Sequence, residues 1–197
     1  MTIVTMCGGQ GSGKSSFAKI VYDHYSARDF KVKRIAFATP LYEIQNMAFE
    51  VMEKYAEYPA PEKDGDFLQA IGTAGRKNFS KHIWINAMKS FLLQTKKEGT
   101  DLVVIDDCRF ENEFDFLKDL GSIMIYLSCP EEIRKQRAKS WRSNTLHESE
   151  TGLNVYANTE GKFDYTFPTN ILKPDACFTQ IKWELDNRMG IRRDKQK

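Results

Sequence analysis

The sequence has few of the residues that staple small proteins together or bind metals. It has four cysteines, Cys7, Cys108, Cys129 and Cys177, none in a C-x-x-C pair and all far apart along the chain. Neither a zinc pattern nor a disulfide framework finds support in that spacing, and reduced structural thiols are the expectation. There are three histidines, with no Ser-His-Asp order and no metal-ligand cluster. No apolar run approaches the ~20 residues that span a bilayer, so no membrane partner is expected. The N-terminus passes almost directly into a glycine-rich loop, without the basic segment, apolar core and cleavage site of a signal peptide. The formal net charge of +2 is too small to argue for a nucleic acid polymer as main partner. A cytoplasmic location is expected.

What is present suits one folded domain. The chain has 197 residues, 41% of them hydrophobic, enough for a full core. Strand-like and helix-like runs alternate. Strands are expected over 2–7, 33–37, 101–105, 122–127 and 163–167. The continuous apolar runs Leu102-Val103-Val104-Ile105 and Ile123-Met124-Ile125-Tyr126-Leu127 suit parallel strands covered on both faces. Between them, apolar residues recur at helical spacing. The series are Phe17, Ile20, Val21; then Leu41, Ile44, Ala48, Val51, Met52, Tyr55; then Trp84, Ala87, Met88, Phe91, Leu92. Further helices are expected after Arg109, near Pro130 and near Pro174. Residues 57–65 and 143–162 read as long loops. Strand–helix alternation of this kind predicts an α/β three-layer fold with a mainly parallel five-stranded sheet.

The first strand runs into GGQGSGKSS, where Gly8, Gly13, Lys14 and Ser15 fit G-x-x-x-x-G-K-[ST]. Glycines let the backbone wrap a phosphate with several N–H groups pointing inward, and the start of the following helix adds positive potential. Lys14 is placed to reach β- and γ-phosphates and Ser15 to ligate Mg²⁺. Asp106 and Asp107 end the third strand, where a Walker B acid helps hold Mg²⁺; the plain alternative for either is a helix cap. Arg76, Arg109, Arg134, Arg137 and Arg142 supply the positioned positive charge that phosphoryl transfer needs. For the last three the alternative is an ordinary basic helix face. Trp84 falls on an apolar stripe, which favours core over base stacking. His147 reads as a solvated loop residue.

The combination of GGQGSGKSS, FATPLYEI at 37–44, LQAIGTAGR at 68–76, IWIN at 83–86 and DDCRFENE at 106–113 resembles the phage-type deoxynucleoside monophosphate kinases. These belong to the P-loop kinase superfamily, with the adenylate and dephospho-coenzyme A kinases. HESE at 147–150 and FDYTFPTN at 163–170 match more loosely. The resemblance implies a single P-loop kinase domain over 1–197, with an acceptor-binding insertion over about 40–97 and a lid over about 132–162. It implies that Gly11, Ser12, Gly13, Lys14, Ser15 and Ser16 bind ATP, together with Arg137 and Asn170. Gln69, Thr73, Arg76, Trp84, Asn86 and Arg109 would bind the acceptor. Lys14, Arg76, Asp107, Arg109 and Arg137 would be catalytic. Ser15 with Asp106 or Asp107 would serve Mg²⁺, Asp107 standing in the D-x-R position. Ala74 and Tyr42 depart from the family, which often has an acid and a base at these places, and they leave the accepted bases open.

The expected reaction is ATP plus a dNMP giving ADP plus a dNDP. A kinase for another small acceptor, such as dephospho-coenzyme A, is the nearest alternative. A nucleotide-hydrolysing switch or motor subunit is the alternative from another class. The resemblance also implies a phage enzyme in host cytoplasm, and a homodimer stays open. On this reading Arg76→Ala harms acceptor use more than ATP binding. Steady-state kinetics with each substrate varied in turn checks this; an equal loss of ATP affinity would put Arg76 on the donor side.

Overall fold

The protein is described by a computed structural model at residues 1–57, 61, 64–138, 141 and 148–191. It divides into two compact units, Met1–Ile35 with Gln94–Lys197, and Ala36–Leu93.

The first unit is built on a five-stranded sheet. Its strands are β1 (Thr2–Cys7), β2 (Val32–Arg34), β3 (Leu102–Ile105), β4 (Ile123–Ser128) and β5 (Tyr165–Pro168), in the order β2-β3-β1-β4-β5. Every pairing is parallel. β1 is central, with Thr5 opposite both Ile105 and Met124. Its six residues and the four of β3 are all buried, as a sheet covered on both faces demands. The expected strands all exist, β1 with both ends as expected and the others with an end moved by at most three residues. The largest change is at β2, which stops at Arg34 rather than residue 37. After Ile35 donates to the Val104 carbonyl, the chain turns at Ala36–Thr39 to start a helix.

On one face, α1 (Lys14–Ser26) and α9 (Pro174–Arg188) pack Phe17, Val21 and Tyr25 with Phe178, Ile181 and Leu185 against Val4, Met6, Val104 and Ile125. Each such fully buried aliphatic or aromatic side chain contributes about 1.5–3 kcal/mol. Tyr25 donates its hydroxyl to Asp186 at 2.9 Å, tying α1 to α9 by a polar bond within that apolar contact. α5 (Glu111–Asp119) buries Phe114 and Leu117, and Phe114 meets Phe163 and Tyr156 edge-on. α6 (Glu131–Arg137) follows β4, and two single-turn helices, α7 (Glu148–Thr151) and α8 (Asn154–Ala157), lie within the stretch expected as loop.

The second unit holds α2 (Thr39–Ala56), α3 (Gly65–Asn78) and most of α4 (Ile83–Lys97). Here the sequence reading needs two corrections. First, α2 buries Gln45 and Phe49, whereas the expected stripe points out: Val51 is 57% and Tyr55 74% exposed. The inner face is chosen by α3, since Gln45 accepts the Asp64 N–H at 3.1 Å and Phe49 stacks on Phe67. Second, α3 is a helix that the reading of periodicity did not name, since its apolar face, Phe67, Leu68 and Ile71, is short and continues in Gly72 and Gly75. Asp64 starts it, accepting the N–H groups of Asp66 and Phe67, both at 3.0 Å, as an N-cap aspartate does. Its glycines then allow close approach. A Cβ on Gly75 would lie 2.4 Å from the Trp84 ring, and the Trp84 indole donates to the Gly72 carbonyl at 3.0 Å.

Gly75→Ala therefore destabilises this unit despite the better helix propensity of alanine. Overpacking costs about 1–3 kcal/mol against a propensity gain of about 1 kcal/mol. The unfolding midpoint in urea is expected to fall; a midpoint at or above that of the native chain would mean that the indole shifts at no cost.

Candidate active site

The phosphate loop takes its shape from three residues of positive φ, Gly8 (140°), Gly11 (76°) and Gly13 (94°). Only glycine adopts such angles without strain. Gly13 caps α1 from this conformation, so the first N–H groups of a 13-residue helix face the loop. Lys14 turns back into the loop and donates to the carbonyls of Gly8 at 2.7 Å and Gly9 at 2.8 Å. Burial, and then the charge of Arg109, bring its pKa down to about 8, although Glu150, Cys7 and Asp106 pull the other way. The Ser12 hydroxyl is buried with no partner among the described residues. Ser15 and Ser16 lie exposed at the start of α1.

Arg134 braces the loop from outside. Its side chain donates to Gln10 O and to Cys129 O, both at 3.1 Å, and the Gly9 and Gly11 backbones approach it so closely that no Cβ would fit. Arg134, one of the arginines expected to bring positive charge to the phosphoryl group, thus bonds to the backbone of the loop itself.

A cavity of about 690 Å³ opens beside the loop, lined by Gly11–Ser16, Arg137, Thr169, Asn170 and the start of α9. This brings together all eight residues expected at the nucleotide. Arg137 donates to the Thr169 carbonyl at 3.0 Å, and the Thr169 hydroxyl donates to Ser12 O at 2.9 Å. Thr169 is thus a site residue that the sequence did not single out. It follows the fifth strand, at the end where ligands gather in such sheets.

At the other flank stand the acids and Arg109. Asp106 accepts from Arg34 at 2.8 Å. The N–H groups of Arg109 and Phe110 go to the buried Glu113 carboxylate, at 2.9 and 3.3 Å, which fixes the Arg109 backbone at the start of α5. The Arg109 guanidinium pairs with Glu150, and Glu150 also accepts the Gln10 N–H at 3.1 Å. Burial alone would raise the Glu150 carboxyl, but Arg109, the Gln10 N–H and Lys14 outweigh it and hold it below its ordinary value. Among the described residues no cluster of three or more histidine, cysteine or acidic side chains could hold a metal by itself. Mg²⁺ asks for less, taking one or two protein oxygens and completing its shell with phosphates and water. Ser15 and the Asp106–Asp107 pair offer oxygens of that kind.

The expected acceptor residues fall in the second unit, except Arg109. Gln69 and Arg76 are half-buried on α3, Thr73 is exposed there, and Asn86 is exposed on α4. Trp84 is spent on packing α4 against α3, as its apolar stripe suggested. Arg142 and His147 lie outside the described residues.

The Lys14 value sets a pH dependence. Its ammonium is present below pH about 8 and is progressively lost above it. Phosphate favours the ammonium, so binding above that pH must take up a proton. Metal-free ADP affinity is expected to fall from about pH 8 upward, by as much as about tenfold per unit. Calorimetry in buffers of differing ionisation heat checks this, with Lys14→Met expected to remove the slope. The same slope in Lys14→Met would assign the effect to another group.

The geometry agrees with the relatives of the chain. Residues 65–160 match the family model of the Deoxynucleotide monophosphate kinase. A protein of Acanthamoeba polyphaga mimivirus named "Putative deoxynucleotide monophosphate kinase" is 27% identical over 150 residues, 66% of this chain and 75% of that one. In fold, the chain is similar to a sugar kinase from Janibacter sp. HTCC2649 (TM-score 0.55, 15% identity, 97% of this chain and 98% of that one). It is also similar to the shikimate kinase of Acinetobacter baumannii (TM-score 0.51, 14% identity, 95% and 94%). The phosphate loop lies outside the matched stretch and so adds its own testimony. The chain resembles the deoxynucleotide monophosphate kinases in sequence over residues 65–160 and has the fold of P-loop kinases.

Proposed function

We propose that the protein transfers the γ-phosphoryl group of ATP to a deoxynucleoside monophosphate, giving ADP and a dNDP. The observation that carries this is the meeting of a lysine-bearing phosphate loop with a nucleotide-sized cavity on one flank and Arg109 on the other. The donor nucleoside enters the cavity beside Arg137, Thr169 and Asn170, and its phosphates lie along the amides of Gly11–Ser16. Lys14 exchanges its loop carbonyls for phosphate oxygens. Arg109 neutralises charge on the group in flight. Ser15 and Asp106 or Asp107 would hold Mg²⁺, which would supply further neutralisation of the donor's charge.

The acceptor phosphate is already an anion, so no protein base is needed. On this reading the acceptor is bound by Arg76, at its phosphate, and by Gln69, Thr73 and Asn86, at its nucleoside. Trp84 acts there by fixing α3 on α4. The matched stretch, 65–160, takes in all four of these acceptor residues and supports deoxynucleotides over other small acceptors.

The test is ADP release from Mg-ATP with each deoxy- and ribonucleoside monophosphate in turn, and with none. Turnover is expected only when particular dNMPs are present. ADP release that is independent of any monophosphate would replace the kinase by a hydrolase.

A further inference from the structure

The side chain of Glu150 is 9% exposed and sits among groups arranged to hold phosphate. One carboxylate oxygen accepts the Gln10 N–H of the phosphate loop, and the other pairs with Arg109. Its charge also acts on Lys14. A loop amide, an arginine and a nearby ammonium make an anion site, and here an acidic side chain of the same chain fills it.

The seat is built. Directly after α7 the backbone approaches Arg109 so closely that a Cβ on Gly152 would lie 2.8 Å from the Arg109 carbonyl. The following helix is anchored by Tyr156, whose hydroxyl donates to Asp115 at 3.0 Å and whose ring meets Phe114 edge-on. The position along the loop is also informative. Gly11–Ser16 line the cavity, whereas Gln10, Arg109 and Glu150 do not. A nucleotide with its nucleoside in the cavity runs its phosphates over Gly11–Ser16 and brings the last of them to the Gln10 side.

We propose that Glu150 is an internal stand-in for the terminal phosphoryl group of the donor, occupying its place between Gln10 and Arg109 until a nucleoside triphosphate displaces it. This rests on the reading of the cavity as the donor site. The single Gln10 N–H serves one anion at a time, so a terminal phosphoryl group that takes it expels Glu150, whereas a diphosphate that stops short of it does not. Glu150 thus lowers affinity for the triphosphate selectively, and it returns when the phosphoryl group has left.

The test is binding of ADP and of the β,γ-imido analogue of ATP, without acceptor, to the native chain and to Glu150→Gln. The variant keeps an oxygen for the Gln10 N–H and removes the charge. It should gain about tenfold more affinity for the analogue than for ADP, the scale of one charge-assisted pair no longer lost in exchange. An unchanged ratio of the two affinities would overturn the proposal while leaving the donor site intact. Failure of the native chain to bind either nucleotide would overturn it together with the reading beneath it. Should Glu150→Gln not fold, hydrogen exchange on the native chain decides. Amides of residues 148–157 should lose protection with the analogue and keep it with ADP, and equal protection with both would contradict the exchange.

Discussion

A buried ammonium held by the carbonyls of its own loop is the constraint on which the site depends. Lys14 is nearly inaccessible and still bonded to Gly8 O and Gly9 O. A charge taken out of water survives only with such partners. The loop supplies them because glycines at positions 8, 11 and 13 accept positive φ, and because β1 and α1, locked into one core, present the two ends of the loop. Around this charge the other parts take their roles. Arg134 supports the loop from outside, Thr169 links it to the end of β5, and Arg109 and Glu150 close its outer side as a matched pair.

The polar groups here are largely satisfied by one another, and this has a cost. Lys14, Gln10 N–H and Arg109 each have protein partners in the ligand-free protein. Binding a phosphate means exchanging these bonds rather than adding new ones, so affinity is a difference between two sets of charge-assisted contacts. Such a site distinguishes ligands by the charge and length of the phosphate chain. On the proposed reading, the cavity beside it takes the nucleoside and adds the remainder.

Much of the first unit was legible in the sequence because its signals are local. Continuous apolar runs gave the buried strands of a parallel sheet, and the spacing of Gly8, Gly13, Lys14 and Ser15 gave the loop. Arg137 and Asn170 came from the family resemblance, and the structure sets them on the same cavity as the loop. The second unit was less legible. α3 carries its meaning in absent side chains, at Gly72 and Gly75, which periodicity does not register. On α2 the more hydrophobic stripe is the outer one, and the inner face is decided by a glutamine and one phenylalanine meeting α3. Glu150 was hidden for another reason. An acid in a polar stretch looks solvated until the fold carries it across 140 residues to Gln10.

The account stands or falls on where the terminal phosphoryl group goes. The most direct measurement is a single turnover with ATP labelled at the γ-phosphorus, in the presence of an equimolar mixture of deoxynucleoside monophosphates, with the products separated by charge. The account predicts that the label moves into a deoxynucleoside diphosphate in step with ADP. Label appearing as inorganic phosphate at the same rate with and without the monophosphates would contradict it.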